Sequence, residues 1–251
     1  MKVALLNDIQ GHLLGLEIVL SDVADEAPDV IVCLGDVASG PYPRQVIDRL
    51  RAVNCLTVKG NMDAEIANPQ PYHGHDPTKR LYAGIDRWCH EQLTDDDLTY
   101  LRTFQPTVTV NLSDDATLLC CHGSPRSYDD VVSATTPDEE LMRLLRGYRA
   151  AMIAVGHMHT PMLRRLGDRL IINPGSVGLP HEYLPSGEKA RTPLRAEYAL
   201  VEYKNNQLRL DFRQIAYSAD ALRHSVLASN MPHAEWFLRT WQIDPVPAPL
   251  E

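Results

Sequence analysis

Val30-Ile31-Val32-Cys33-Leu34-Gly35-Asp36 runs five apolar residues directly into a glycine and a carboxylate. A run of that length suits a buried β-strand and is far too short to span a bilayer. Glycine and aspartate then mark a turn at its carboxyl end. The same phrase flanks it on both sides. Residues 3–6 end in Asn7-Asp8, and residues 54–58 lead to Gly60-Asn61. Between these strands, Leu13, Leu16, Val19, Leu20 and Val23 recur at helical spacing over about 12–25, and Val46, Ile47 and Leu50 do so over about 43–52. Strand, helix, strand, helix, strand implies a mostly parallel sheet at the start of an α/β fold.

Further along, 65–106 breaks this rhythm with Pro69, Pro71 and Pro77, then Tyr72, His73, His75, Trp88 and His90. A helical patch follows over Asp95–Phe104, with Thr94 as its N-cap ahead of acidic first-turn residues. The stretch is too short to form its own core, so it reads as a flap inserted into a single domain spanning 1–251. Shorter strands follow at 107–112, 117–121, 151–155, 169–173, 197–203 and 207–213, the last two joined by a turn at Asn205-Asn206. With few helices between them they predict a second, more antiparallel sheet. Two sheets face to face, flanked by helices, is the expected architecture. Ala219–Trp241 reads as helical, ended by Pro245, Pro247 and Pro249.

At 251 residues and 44% hydrophobic, the chain can bury a sizeable core. Met1 to Asp8 reads as a first strand, not a signal peptide. Five scattered cysteines without a C-x-x-C pair argue against a disulfide framework and for a reducing cytoplasm. Cys33, Cys120 and Cys121 fall in apolar runs, as small buried hydrophobes do. The formal net charge of -9 argues against stable binding to nucleic acid or to anionic membrane. A phosphate-bearing small molecule stays allowed, because bound metal supplies local positive charge. The apolar neighbourhoods of Trp88 and Trp236 leave room for a homo-oligomer interface.

The chemistry lies where the strands stop. Two later runs repeat the pattern: 117–121 ends in His122-Gly123, and 151–155 ends in Gly156-His157-Met158-His159. In α/β sheets, ligands bind beyond the carboxyl ends of strands, so these clusters should converge. His157 and His159, two apart on extended backbone, would project to the same side. Asp, Asn and His without thiolate suit Mn, Fe, Ni, Co or Zn better than a structural zinc site. Singly, each residue has an ordinary alternative as a cap, a tight turn or a solvated histidine. Five strand ends repeating one pattern are hard to obtain from independent turns.

In order, Asp8-Ile9-Gln10-Gly11, Gly35-Asp36, Gly60-Asn61-Met62-Asp63, His122-Gly123 and Gly156-His157-Met158-His159 resemble the calcineurin-like metallophosphoesterase superfamily. The match runs from residue 3 to about residue 178 and includes Asn173-Pro174-Gly175-Ser176-Val177-Gly178, a loop typical of its small prokaryotic phosphodiesterase branch. The resemblance implies a β-sandwich flanked by helices and a centre of two divalent transition metals. Asp36 would bridge them, Asp8 and His159 would hold the first, and Asn61, His122 and His157 the second. A hydroxide shared by the metals would attack phosphorus in line, with Asp36, Asn61 and His122 closest to the chemistry.

Two positions depart from the family pattern. Its first motif is Asp-x-His, and position 10 here is Gln10. A glutamine carbonyl ligates more weakly than imidazole, so the first metal should bind less tightly. His12, where the family usually has Asn, would either compensate as a site residue or cap the first helix. Met62 stands where many phosphomonoesterases of the superfamily have a proton-donating histidine, and methionine donates none. The expected activity is therefore hydrolysis of a phosphodiester in a small molecule or nucleotide. A phosphomonoesterase or dinucleoside-polyphosphate hydrolase is the nearer alternative. A non-catalytic scaffold resembling the retromer subunit is the remoter one, and six intact ligand positions of seven count against it. Arg126 is a candidate phosphate contact, and His73, His75, His90, Lys79 and Arg80 are candidates to line the cleft.

Overall fold

The computed structural model describes residues 1–183 and 189–241. The chain order is β1 (Lys2–Leu6), α1 (Leu13–Glu26), β2 (Val30–Cys33), α2 (Pro43–Ala52), β3 (Leu56–Thr57), α3 (Asn61–Ala67), α4 (Pro77–Gln92) and α5 (Asp95–Thr103). Then follow β4 (Thr107–Asn111), β5 (Thr117–Cys121), α6 (Asp138–Leu144), β6 (Met152–Ala154), β7 (Met162–Leu166), β8 (Arg169–Asn173), β9 (Glu182–Tyr183) and β10 (Lys189–Arg191). The chain continues with β11 (Arg195–Lys204), β12 (Gln207–Ala216), α7 (Ala219–Ala228) and α8 (Ala234–Leu238).

Two five-stranded sheets, β12-β11-β1-β2-β3 and β4-β5-β6-β8-β7, form the sandwich expected from the sequence. Both are mixed. In the first, β1, β2 and β3 run parallel, as the alternating strand and helix signals imply. The hairpin β11–β12 does not join the second sheet as expected: β11 pairs antiparallel with β1. β11 is buried on both faces, Ala196, Tyr198 and Leu200 towards the helices and Ala199 and Val201 towards the facing sheet, and the free edge of β1 offers the ladder. In the second sheet, β5, β6 and β8 are parallel, with β4 and β7 antiparallel at the edges. Asn205 and Asn206 both take left-handed φ, at 51° and 58°, as a tight two-residue hairpin requires.

Period-2 alternation explains the layers. Val3, Leu5, Val32 and Leu34 point inward against Leu118, Cys120, Ala154 and Ile172 of the facing sheet. Ala4, Leu6 and Cys33 point outward onto Leu16, Val19 and Val23 of α1 and Val46, Ile47 and Leu50 of α2. Cys121, Ile153 and Ile171 meet α6 through Leu141 and Leu144. Each fully buried leucine contributes about 1.5–3 kcal/mol by leaving water.

The stretch 65–106 is largely helical. Thr94 caps α5 through a reciprocal pair with Asp97. The sixteen-residue α4, which begins at Pro77 under an Asp76 cap, buries Ile85 and Cys89 in the same cluster as α1 and α2. Trp88 and Trp236 lie half-buried against that core. All five cysteines are buried and unpaired. Among the described residues no helix is long and apolar enough to cross a membrane. Pro245, Pro247 and Pro249 lie outside the described residues.

Candidate metal centre

The parallel strands of both sheets end at one rim of the sandwich, and their loops interlock. Beyond β1 and β2, Asp8 donates its N–H to the Gly35 carbonyl at 3.2 Å and Gln10 to that of Asp36 at 2.9 Å. Gly11 bonds Val37 in the same way at 2.8 Å. Asp8 and Asp36 therefore sit side by side. His122, from the second sheet, is drawn across: its Nδ1 bonds the Leu34 carbonyl at 2.8 Å. Ligand atoms of Asp8, Asp36 and His122 all lie within 4.8 Å of one another.

Proton positions follow from the partners. A carbonyl only accepts, so His122 Nδ1 carries the hydrogen and Nε2 turns a lone pair into the cluster. That Nε2 stands 3.0 Å from Asn61 Oδ1 and 3.5 Å from Asp36 Oδ2. His159 repeats the device, with Nδ1 against the Leu179 carbonyl at 2.7 Å and Nε2 at 3.5 Å from Asp8 Oδ1. Asp8 Oδ1 is buried and accepts no hydrogen bond among the described residues. Acceptors thus face acceptors, an arrangement that a cation satisfies. Burial drives the carboxyls of Asp8 and Asp36 well above the usual carboxylate range, and for Asp36 the Asp8 charge adds to it. Burial and two neighbouring imidazoles keep His157 neutral, with its pKa at about 4. Its ring lies 5.2 Å from that of His122. The donor set and geometry fit divalent metal.

Backbone strain concentrates here. Asp8, Gln10, Asp36, His157 and His159 all take left-handed φ, at 48°, 52°, 53°, 66° and 54°. Such conformations are uncommon outside glycine and asparagine and persist only where surroundings hold them. Correcting the sequence expectation, His157 and His159 are not on extended backbone; each sits at a bend after β6. Glycines make room for these bends. A Cβ on Gly60 would come within 2.1 Å of Asp36 Oδ1, and one on Gly156 within 2.0 Å of Asn7 Oδ1.

Three residues that the sequence motifs contain without an assigned role support the cluster. Asp63 accepts the N–H groups of Asp36, Val37 and Gly60, each at 2.9 Å. Asn7 donates to the Asp8 carboxylate and to the Gly175 carbonyl. Ser176 Oγ donates to the Asp8 carbonyl at 2.8 Å, so the Asn173–Gly178 loop braces Asp8.

The remaining candidates divide. Gln10 lies at the cluster, its side-chain amide donating to Asp36 Oδ2 at 3.2 Å. His12 does not. It caps α1, with Nδ1 accepting the Gly15 N–H at 2.9 Å, and its ring stacks on Trp241, away from the cleft. Burial holds its pKa at about 4. Arg126 is also elsewhere, its guanidinium bound to the carbonyls of Leu144 and Arg146. His90 bonds the Ile66 carbonyl, Arg80 bonds that of Gly74, and His73 and His75 are exposed. Lys79 does line the cleft.

That cleft, of about 550 Å³, opens over Asp36, Asn61, His157 and His159. Met62, Tyr72, Tyr82 and Leu179 supply much of its wall. His181 stacks on His159 with ring centres 4.6 Å apart. Asp86, from α4, reaches the same space and accepts the Ser39 hydroxyl at 2.6 Å. Burial raises its pKa to about 7.

Residues 1–206 match the model of the calcineurin-like phosphoesterase superfamily domain, and the chain belongs to that superfamily. Its fold is shared with a metallophosphoesterase from Sphaerobacter thermophilus, 24% identical, with 96% of this chain and 98% of that one covered and a TM-score of 0.71. A hypothetical protein from Pyrococcus horikoshii OT3 is 21% identical over 94% of this chain and 97% of its own, with a TM-score of 0.75. An uncharacterized protein of Methanocaldococcus jannaschii is 22% identical over 93% of this chain and 94% of its own length.

Proposed function

We propose that this chain hydrolyses phosphodiester bonds in a small molecule or nucleotide, using two divalent transition metals such as Mn, Ni, Fe, Co or Zn. The observation that carries the reading is the meeting of acceptors: Asp8, Asp36, Asn61 Oδ1 and two imidazole lone pairs, beside a cleft that Asp36, Asn61 and His159 line. Bound divalent metal supplies an acidified water and neutralises charge on the phosphoryl oxygens. The chain's residues do the positioning. Asp36, between Asp8 and His122, suits the bridging place; Asp8 and His159 face one side, Asn61, His122 and His157 the other. Asp63, Asn7 and Ser176 hold the strained loops, so no reorganisation is needed when substrate arrives.

Two features favour diesters over monoesters. Lys79 is the one lysine or arginine among the described lining residues, and it shares the cleft with Glu65 and Asp86. A singly charged diester suits that balance better than a monoester dianion. Met62 lines the cleft and donates no proton, so a poor leaving group finds no acid at that position.

The test is metal analysis of the purified protein, with assays of a bis-aryl and a mono-aryl phosphate in added Mn²⁺ or Ni²⁺. Metal-dependent turnover favouring the diester, lost in Asp36→Ala and His157→Ala, is the expected result. Activity that survives both substitutions would rule out this centre. Gln10 keeps one other reading in view, a protein-interaction scaffold, which inactivity with every metal would favour.

A further inference from the structure

Asp86 stands apart from the metal ligands, yet it faces the same cleft. It is a carboxylate only 4% exposed, on a helix whose other buried residues, Ile85 and Cys89, are apolar. Ser39 fixes one oxygen: its hydroxyl donates to Asp86 Oδ1 at 2.6 Å. The other oxygen has no hydrogen-bond partner among the described residues and is not one of the fully enclosed polar atoms, so it opens to the cleft. Among the described residues no lysine or arginine pairs with the group, and burial raises its pKa rather than lowering it. A carboxylate this buried, with no cation beside it and one oxygen open only to the cleft, is placed to accept a hydrogen bond from whatever occupies the cleft.

The neighbours narrow what that donor is. Tyr82 and Ala83 flank Asp86 on the α4 face, and Glu65 brings a second carboxylate into the cleft. Two carboxylates against Lys79 disfavour a second phosphate or a carboxylate on the substrate, as in a dinucleoside polyphosphate. They favour N–H or O–H groups, which are hydrogen-bond donors. The tyrosine faces add an apolar, aromatic wall suited to a ring.

Resting on the diesterase reading, we propose that Asp86 determines specificity. Its free oxygen accepts a hydrogen bond from an N–H or O–H group on an alcohol portion of the diester, most naturally a nucleoside. Ser39 positions the carboxylate for that contact. Sites built to pair a substrate's polar group discriminate strongly against analogues that lack it, because the site's own group is then left unpaired.

The test compares three p-nitrophenyl diesters on the Mn²⁺-loaded protein. Bis(p-nitrophenyl) phosphate has no donor, the p-nitrophenyl ester of thymidine 5′-monophosphate has ring N–H and sugar O–H donors, and p-nitrophenyl phosphoethanolamine has a charged amine. Asp86→Asn keeps the shape, but with Ser39 holding the amide oxygen it turns an NH₂ into the cleft, donor against donor. The expected result is a fall in kcat/KM for the thymidine ester, relative to the bis-aryl ester, of roughly 10- to 100-fold, carried mainly by KM. Ser39→Ala should shift the same ratio in the same direction, by roughly threefold. Calorimetric titration with thymidine 5′-monophosphate should show weaker binding by Asp86→Asn, a readout that does not depend on turnover. A selective fall for the ethanolamine ester instead would support the contact and identify the donor as an amino alcohol. An equal change for all three esters, or none, would overturn the proposal while leaving the diesterase reading intact. Wild-type protein inert towards all three would overturn that reading and this one with it. Melting curves of both variants guard against a folding defect, and the conservative Asn and Ala changes sit on opposite sides of the contact.

Discussion

Asp63 and Asp36 hold each other's loops. The Asp63 carboxylate accepts the backbone N–H of Asp36 at 2.9 Å, and the Asp36 carboxylate accepts that of Met62, next to Asp63, also at 2.9 Å. The turn after β2 and the start of α3 are thereby clamped, and Asp36 is kept at its left-handed φ of 53°. Asp63→Ala would leave three buried N–H groups unpaired at once. The expected cost is about 2–4 kcal/mol, seen as a drop in Tm of roughly 5–15 °C. Metal affinity should fall with it, although Asp63 ligates nothing. Wild-type Mn²⁺ affinity in a destabilised Asp63→Ala protein would show that the clamp serves the fold alone.

Gln10 presents its amide nitrogen to Asp36 at 3.2 Å, so the amide must rotate before its oxygen can ligate. Gln10→His should then raise affinity for the weaker of two metal equivalents by about tenfold or more, as imidazole replaces an amide oxygen. Calorimetric titration with Mn²⁺ reads this directly. Unchanged titrations would remove Gln10 from the ligand set.

Much of this was legible in the sequence, for a physical reason. β1, α1, β2 and α2 announce themselves because each buries one regular face, and the candidate ligands announce themselves because each follows a strand. What lay hidden is burial that breaks the apolar code. Along α4 the inward face reads Ile85, Asp86, Cys89, so a polar residue interrupts the helical stripe. β7 is an edge strand whose Leu163 is exposed and whose Arg164 is tied to Asp138, which leaves no alternation to read. The roles of Asn7 and Asp63 depend on which way a side chain turns from a loop, and spacing does not record that. The placing of β11 beside β1 likewise depends on a ladder partner almost 200 residues away.

Gly60 leaves no room for a side chain, since a Cβ would meet Asp36 Oδ1 at 2.1 Å and the Asp36 nitrogen at 2.5 Å. Gly60→Ala must therefore move the Asp36 carboxylate or the α3 N-terminus that carries Asn61. The expected outcome is loss of metal-dependent activity by roughly 100-fold or more, since displacements near 1 Å at a reacting centre cost that much. Far-ultraviolet circular dichroism should stay close to wild type. Retained activity would mean that the loops are more compliant than their interlocking hydrogen bonds imply.

Without metal, the buried carboxyls set the pH response. Asp8, Asp36 and Asp86 all have folded pKa values raised by burial, Asp86 to about 7. A raised acid binds its proton more tightly folded than unfolded, so its stabilising contribution is full below the unfolded value of 3.8 and is lost as pH rises towards 7. Chelator-treated protein should therefore melt at a lower temperature at pH 8 than at pH 5.5. Mn²⁺ should restore stability most at the higher pH, where the ligands are ionised. A metal-free Tm that rises from pH 5.5 to 8 would contradict the assignment of burial as the dominant cause.

Met62 offers the sharpest test of the proposed preference for diesters. It lines the cleft beside Asn61, whose side-chain nitrogen lies 3.3 Å from the thioether sulfur. The half-buried position accepts an imidazole without entering the core. In Met62→His, a group titrating near neutrality would face the departing oxygen and could protonate it. The gain must depend on the leaving group, because p-nitrophenolate departs without help and an alkoxide does not. Turnover of an alkyl or nucleoside monophosphate should rise by roughly tenfold or more, with little change for the p-nitrophenyl ester. The alkyl ester's rate should also acquire a fall at high pH, as the imidazole loses its proton. Equal gains on both esters would assign the new side chain to binding, and the preference for diesters would then rest on the charge balance of Lys79, Glu65 and Asp86 alone.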